Sequence, residues 1–349
     1  MSLRWMLYGA NGYTGRLMAE AAVARGLRPL LSGRNAEALR ALAESLDLEW
    51  KAIDLSDAVA LKEALRDVDA VMHCAGPFSA TCAPMLDACL ASGTHYLDIT
   101  GEIDVFAHCQ SNDARAKQAG VLVLPGAGFD VVPTDCLAAQ LKRDLPDATH
   151  LVLAFEAGGG PSPGTAKTSV EGLGKGGRVR ENGELKRVPL AYKIRYFERE
   201  GVQRSAMTIP WGDVCTAYFS TGIPNIEVYM AVPPATIRRV RRLRVLGPLL
   251  GWKPVQEFLK RQVERKVRGP SNDSRERSST WVWGEATNAR GQRVARRLRT
   301  PNGYTLTVDA ALGIIERLAQ GDVPSGFHTA SQLMGASYVT TLPGVERTG

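Results

Sequence analysis

Apolar and polar positions alternate in two kinds of block along the first 130 residues. "RWMLYGA" is a short apolar run. "TGRLMAEAAVARG" then places Leu17, Met18, Ala21 and Ala22 on one helical face before a stop at Gly26. The same couple recurs. "RPLLSGRN" reads as a strand and "NAEALRALAESL" as a helix with Asn35 as N-cap; "EWKAIDL" is a strand ending near Asp54 and "DAVALKEALRDV" a helix. "DAVMHCAGPF" is a strand with its loop, "PMLDACLASG" a helix, "HYLDITG" a strand, "DVFAHCQSNDARAKQAG" a helix and "VLVLPGAGFD" a strand. Strands separated by helices of this length predict an α/β, doubly wound, mostly parallel sheet whose ligand lies beyond the carboxyl ends of the strands.

The pattern changes after residue 146. Strand-like runs at 151–155, 192–197, 206–209, 215–220, 226–230, 280–285 and 305–308 lack regular intervening helices. They predict a second, α+β domain with a mixed sheet. Within it "GGGPSPGTAKTSVEGLGKGG" reads as a flexible loop at 158–164 and a short helix at 165–173 capped near Thr165. The N-terminus of that helix, with Lys167, Thr168 and Ser169 beside it, is a candidate holder of an anionic group, weighed equally against a plain interdomain hinge.

The first strand–helix turn carries Gly9, Gly12 and Gly15, a G-x-x-G-x-x-G spacing. In a Rossmann-type unit the first glycine permits the tight turn, the second lets the backbone approach a pyrophosphate, and the third lets the helix pack on the strand. Asn11, Tyr13 and Thr14 share that turn. The second strand then selects the cofactor. An NAD site usually ends this strand in Asp or Glu, to hold the ribose 2′-hydroxyl. Here residues 27–36 contain no acid, and Ser32, Arg34 and Asn35 stand in its place. A guanidinium with two further donors suits a 2′-phosphate, so NADP is expected rather than NAD. Asp54, Ala75, Gly76 and Pro77, at the ends of the next two strands, complete the expected cofactor contacts.

Composition narrows the class. The chain of 349 residues is 44% hydrophobic and 23% charged, ordinary for a globular protein and long enough for two domains. Six dispersed cysteines without a C-x-x-C pair fit reduced thiols, and the five histidines show no metal-ligand spacing, so no metal is expected. A strand that begins by Trp5 leaves no room for a secretory leader, and no eighteen apolar residues run together; a cytoplasmic location is expected. The net charge of +7 is local: residues 237–268 hold eleven basic and two acidic side chains. With Leu246, Leu249, Leu250, Trp252, Val255, Phe258 and Leu259 among them, this stretch reads first as an arm packed on its domain or on a dimer partner. A membrane-surface contact ranks second. Nucleic acid is not expected, because no helix-turn-helix, zinc finger or aromatic platform accompanies the charge.

"YGANGYTGR", "SGRN", "CAGPF", "THYLDITGE" and "GFDVVPTD", followed by "GGPSPGTAKTSVEGLGKGGRVRENGELKRVPL" and "GYTLTVDAALGIIERLAQGDVPSGFHTASQLMG", together resemble the saccharopine dehydrogenase-like oxidoreductases. The resemblance extends to a branch that holds bacterial members without an assigned reaction and the mycobacterial trans-acting enoyl reductases. The resemblance implies an NADP-binding domain over 1–145, a substrate and dimerisation domain over 146–308, and a C-terminal helix and tail over 309–349 that return to the first domain. It also implies hydride transfer from NADPH to a C=N or C=C group of a small or lipid-like substrate, in a homodimer.

No residue announces itself as the proton donor. No tyrosine has a lysine four positions later, and His73, in an apolar strand, reads as a buried structural imidazole. Asp98 and Asp130, at the carboxyl ends of two strands, and Lys167 are the candidate catalytic groups. The alternative function is a non-catalytic NADP(H)-binding sensor or regulatory subunit, since glycine turns of this kind occur in regulators too.

Overall fold

A computed structural model describes residues 3–348, with the side chains of Val245 and Pro248 outside the described set. The chain forms two compact units, one of residues 1–132 and 306–335, the other of residues 133–305 and 336–349.

The first unit holds a seven-stranded parallel sheet of β1 (Trp5–Tyr8), β2 (Leu30–Gly33), β3 (Trp50–Ala52), β4 (Ala70–His73), β5 (His95–Asp98), β6 (Leu122–Leu124) and β15 (Gly326–Phe327). Their order is β15-β6-β5-β4-β1-β2-β3. The order reverses direction at β1, the switch point beside which such sheets bind ligands. The crossovers are α1 (Tyr13–Ala24), α2 (Ala36–Leu46), α3 (Ala58–Leu65), α4 (Phe78–Ser92), α5 (Ile103–Ser111) and α6 (Asp113–Ala119). The single helix expected over 104–120 is thus two, broken at Asn112, whose side chain turns back to the His108 carbonyl at 2.9 Å. β1 and β4 are buried at every position, as strands covered on both faces must be.

The second unit holds a nine-stranded mixed sheet: β7 (Ala148–Glu156), β8 (Gly177–Glu181), β9 (Glu184–Val188), β10 (Ile194–Arg199), β11 (Val202–Thr208), β12 (Asn225–Ala231), β13 (Ser279–Asn288), β14 (Arg293–Pro301) and β16 (Glu346–Arg347). β12 and β7 pair in parallel and the other pairs are antiparallel. Its helices are α7 (Val132–Asp144), which starts at the unit boundary, α8 (Pro163–Gly172), α9 (Asp213–Thr221), α10 (Pro234–Leu243), α11 (Gly247–Leu250), α12 (Lys253–Lys266) and α13 (Asn272–Arg277). α14 (Gly303–Ala319) leads the chain back into the first unit, which ends with α15 (Ala330–Met334).

Two expected strands are helical. Residues 215–220 lie in α9, whose side chains from Asp213 to Ala217 are all buried; a helix covered nearly all round shows no 3.6-residue stripe. Residues 305–308 are the first turns of α14, where Thr305, Thr307 and Val308 carry β-branched side chains but burial over the following turns decides. One unforeseen hairpin has a local cause. β8 and β9 are joined at Asn182–Gly183 with φ of 52° and 82°, the two left-handed positions of a type I′ turn. The unit boundaries at 132 and 306 also differ from those expected at 145 and 308.

Candidate active site

The dinucleotide turn is built by the three glycines, each for a different steric reason. Gly9 has φ of 84°, and a Cβ there would stand 2.7 Å from the Ala75 nitrogen. A Cβ on Gly15 would stand 2.3 Å from the Gly9 oxygen, so only glycine lets α1 seat against β1. Gly12 differs: its nearest neighbour would be the Gly9 oxygen at 3.2 Å, and the residue is exposed. It is the N-cap of α1, no side chain caps that helix end, and its first turn holds no acid. An uncapped helix N-terminus without a side chain in front of it has the dipole, the N–H groups and the space that a pyrophosphate needs. The Gly9 and Ala10 N–H groups donate to the Ser32 carbonyl at 2.7 and 3.1 Å, fastening the turn to β2. Asn11 folds over β2, its Oδ1 lying 3.1 Å from where a Gly33 Cβ would be. Tyr13 and Thr14 open α1 and are both partly buried.

At the end of β2, Arg34 is exposed, and among the described residues no carboxylate lies within ion-pair distance of it. Ser32 does not share that position. Its side chain is fully buried and its hydroxyl donates to the Lys51 carbonyl of the neighbouring β3 at 2.9 Å, because β2 is covered on both faces. Asn35 caps α2 by accepting from the Ala38 N–H at 3.0 Å, which leaves its amide NH₂ as the donor toward a ligand. Asp54 is exposed and its pKa is lowered, chiefly by the N–H and hydroxyl of Ser56 at 2.9 and 2.8 Å, with a smaller effect of Arg34.

The loop after β4 is braced from two sides. The Thr81 hydroxyl donates to the Ala75 carbonyl at 2.7 Å, and the Gly76–Pro77 bond is cis. The α4 N-cap is Pro77, which has no side-chain acceptor. Glu102, the N-cap of α5, supplies one, its two oxygens accepting from the Phe78 and Ser79 N–H groups at 2.9 and 2.8 Å. The signal for Glu102 as a cap is a helix that starts after proline and needs an acceptor from elsewhere. His73 is fully buried, its Nε2 lies 3.0 Å from the Thr81 hydroxyl, and burial lowers it to about 3. It is a structural imidazole.

The three catalytic candidates separate. Asp98 is fully buried and accepts from the Tyr96 hydroxyl at 2.6 Å and from the Thr100 and Gly126 N–H groups at 2.9 Å each. The Asp98 carbonyl also accepts from the Ala127 N–H at 2.7 Å. The residue brackets the loops after β5 and β6, its carboxylate fully buried among these donors. Burial raises it to about 6, against the pull of its three hydrogen bonds. Beside it lie Cys82 and Cys109, with sulfurs 3.7 Å apart, so Asp98 and these thiols form a buried trio within 4.8 Å. Burial pushes the Cys109 thiol well up, the environment of inert neutral sulfur rather than of a thiolate.

Lys167, on α8 of the second unit, is ion-paired at 2.6 Å with Glu264 of α12. Its ammonium is engaged there instead of standing open at the helix N-terminus, which is capped by Ser162, not Thr165. Asp130 differs from both. It follows β6 on the carboxyl edge of the sheet and is partly exposed. Its carboxylate packs so closely on Gly101 that a Cβ there would stand 2.7 Å from Oδ2. Burial of the carboxyl group, with the nearby charge of Glu102, raises Asp130 to about 7.

The model of the saccharopine dehydrogenase NADP binding domain matches residues 5–124, from the first residue of β1 to the last of β6. Residues 5–124 are thus similar to a saccharopine dehydrogenase NADP-binding domain. The cofactor is NADP, in agreement with an uncapped α1 and an unpaired Arg34. Curated relatives include trans-acting enoyl reductases of Mycobacterium bovis, 33% identical over 156 residues, and of Mycobacterium leprae, 35% identical over the same length. Each match covers 41% of this chain and 37% of the relative, so the chain spans little more than a third of those proteins. The solved saccharopine dehydrogenase (L-Glu forming) of Saccharomyces cerevisiae is similar over 99% of this chain and 100% of its own, with a TM-score of 0.68 at 11% identity. That likeness concerns the fold of the whole chain. Among the described residues no helix is long and apolar enough to cross a membrane.

Proposed function

We propose that this protein is an NADPH-dependent oxidoreductase that reduces a C=N or C=C group, with Asp130 as its proton donor. One observation carries the reading. A single sheet edge presents both a turn shaped for a dinucleotide and, on the partly exposed residue Asp130, a carboxyl group that holds its proton to about pH 7. When bound, NADPH supplies the hydride. Gly12 and the α1 N-terminus would hold its pyrophosphate and Arg34 its 2′-phosphate. Asp130 would deliver a proton from its carboxyl oxygen to the atom next to the reduced carbon and be reprotonated by water. Glu102 and Asp98 act on position only, one fixing the loop at 75–78 and the other the loop at 126–130.

The experiment is turnover of NADPH with a panel of imines, enones and enoyl thioesters, followed across pH. Turnover of a responsive substrate falls as pH rises through about 7, because only the protonated carboxyl donates. Asp130→Asn lowers that turnover by about 10²–10⁴ and removes the pH step while NADPH still binds. A responsive substrate turned over equally well by Asp130→Asn refutes the donor. NADPH binding without oxidation by any member of the panel favours the sensor reading instead.

A further inference from the structure

The second unit carries an exposed surface that the reductase reading does not use. Of the ten large apolar side chains that stand exposed among the described residues, four fall within thirteen residues: Leu246 at 47%, Leu249 at 52%, Trp252 at 60% and Phe258 at 61%. They lie on the helical segment formed by α10, a 3₁₀ turn at Arg244–Leu246, α11 and α12. α12 has no buried residue along its 14 positions.

The inner face of α12 is latched to α8 by polar contacts. Lys167 pairs with Glu264 at 2.6 Å, Lys260 with Glu171 at 2.8 Å, and Gln256 reaches the Glu171 carbonyl at 3.4 Å. The turn before α12 is fixed backbone to backbone, since a Cβ on Gly174 would stand 2.4 Å from the Gly251 Cα. With that face occupied, helical spacing puts Phe258, Arg261 and Arg265 together on the outer one, and all three are exposed. Trp252 stands at the head of the same helix.

Charge completes the pattern. Of the eleven basic side chains in residues 237–268, only Lys260 is held by carboxylates among the described residues, whereas both acids of the stretch are paired, Glu257 with Lys260 and Glu264 with Lys167. The outward charge is therefore almost purely positive, interleaved with tryptophan, phenylalanine and leucine. A second copy of this chain is a poor occupant, because a two-fold contact would set this positive surface against itself. A nucleic acid would use the charge but leave the leucines wet. An anionic lipid surface satisfies both, with arginines among the headgroups and Trp252, Phe258, Leu246 and Leu249 at the acyl boundary.

We propose that the segment at 234–268 is a peripheral membrane-docking surface that binds anionic bilayers. The test is flotation of the full chain with vesicles of phosphatidylcholine alone or with about one-third phosphatidylserine, at low and high salt. Binding is expected on anionic vesicles only, weakening at least tenfold at high salt. The double variant Trp252→Ala, Phe258→Ala should lose at least tenfold in vesicle affinity. Arg261→Glu, Arg265→Glu should lose more, since each basic charge near such a surface is worth about fivefold. Both pairs are exposed, so unchanged NADPH binding and melting serve as the folding control. The proposal is overturned if the folded protein ignores anionic vesicles, if it binds neutral and anionic vesicles alike, or if the apolar double variant binds as the parent does. A dimer in sedimentation that dissociates on Trp252→Ala would overturn it too, by assigning the apolar patch to a second copy.

Discussion

Replacing Asp98 by asparagine separates a bracket from a catalytic group. In the folded protein the carboxyl group holds its proton to about pH 6, against a reference value of 3.8, because burial outweighs its three hydrogen bonds. That difference corresponds to about 3 kcal/mol between the protonated and ionised states. Since the folded chain binds this proton more tightly than the unfolded one, the residue lowers stability as pH rises from about 4 to about 6 and leaves it on the lower plateau above. The Asp98→Asn side chain would keep an oxygen for the Thr100 and Gly126 N–H groups but offer the Tyr96 hydroxyl no acceptor, a loss of about 1–3 kcal/mol at every pH. The variant should therefore be less stable than the parent near pH 4 and equal or more stable near pH 7.5, a relative change of about 3 kcal/mol. Hydrogen exchange at the amides of β5 and β6 reads the opening of the first unit alone, which matters because a chain of two units need not unfold in one step. The buried His73, lowered to about 3, makes the opposite contribution as acid is added, and it cancels in the comparison of variant with parent at each pH. A stability difference that stays constant from pH 4 to pH 7.5 would refute the account. Turnover reduced more than about a hundredfold with NADPH binding intact would return Asp98 to a catalytic role.

Arg34→Ala should weaken NADPH about ten- to a hundredfold and leave NADH within about twofold, because it removes one charge-assisted contact to the 2′-phosphate; nicotinamide fluorescence titrations with both cofactors read the ratio, and an unchanged ratio rules out this arginine as the selector. The second and third glycines of the turn predict different phenotypes. Gly12→Ala meets only the Gly9 oxygen at 3.2 Å, so melting should stay near that of the parent while NADPH affinity falls at least tenfold. Gly15→Ala puts its Cβ 2.3 Å from the same oxygen and should lose both, since α1 must leave β1 to accept it. Calorimetry paired with binding tests the contrast, and a Gly12→Ala protein that binds NADPH normally would remove the pyrophosphate from this position.

Much of the first unit is legible in the sequence because its signals are local. Period and breaker residues set each strand and helix, and a parallel sheet buried on both faces writes itself as uninterrupted apolar runs such as "WMLY" and "AVMH". The three glycines and the missing acid after β2 point to NADP because the groups that would hold it belong to two short strand–helix turns. What the tertiary structure decided is where side chains point once distant segments meet. Asp98 and Asp130 look alike in sequence, each ending a predicted strand, yet Asp98 is fully buried with Tyr96, Thr100 and Gly126 as donors, while Asp130 is a partly exposed residue beside Gly101. Ser32 turned inward to Lys51, Lys167 was claimed by Glu264 nearly a hundred residues on, and Glu102 became the cap of a helix that starts at Phe78. α9 was misread for a related reason: buried on almost every side, it carries no stripe that periodicity can find. Local pattern determines which element forms. How deeply each carboxylate is buried, and among which donors, depends on segments distant in sequence, and those meet only when the chain is folded.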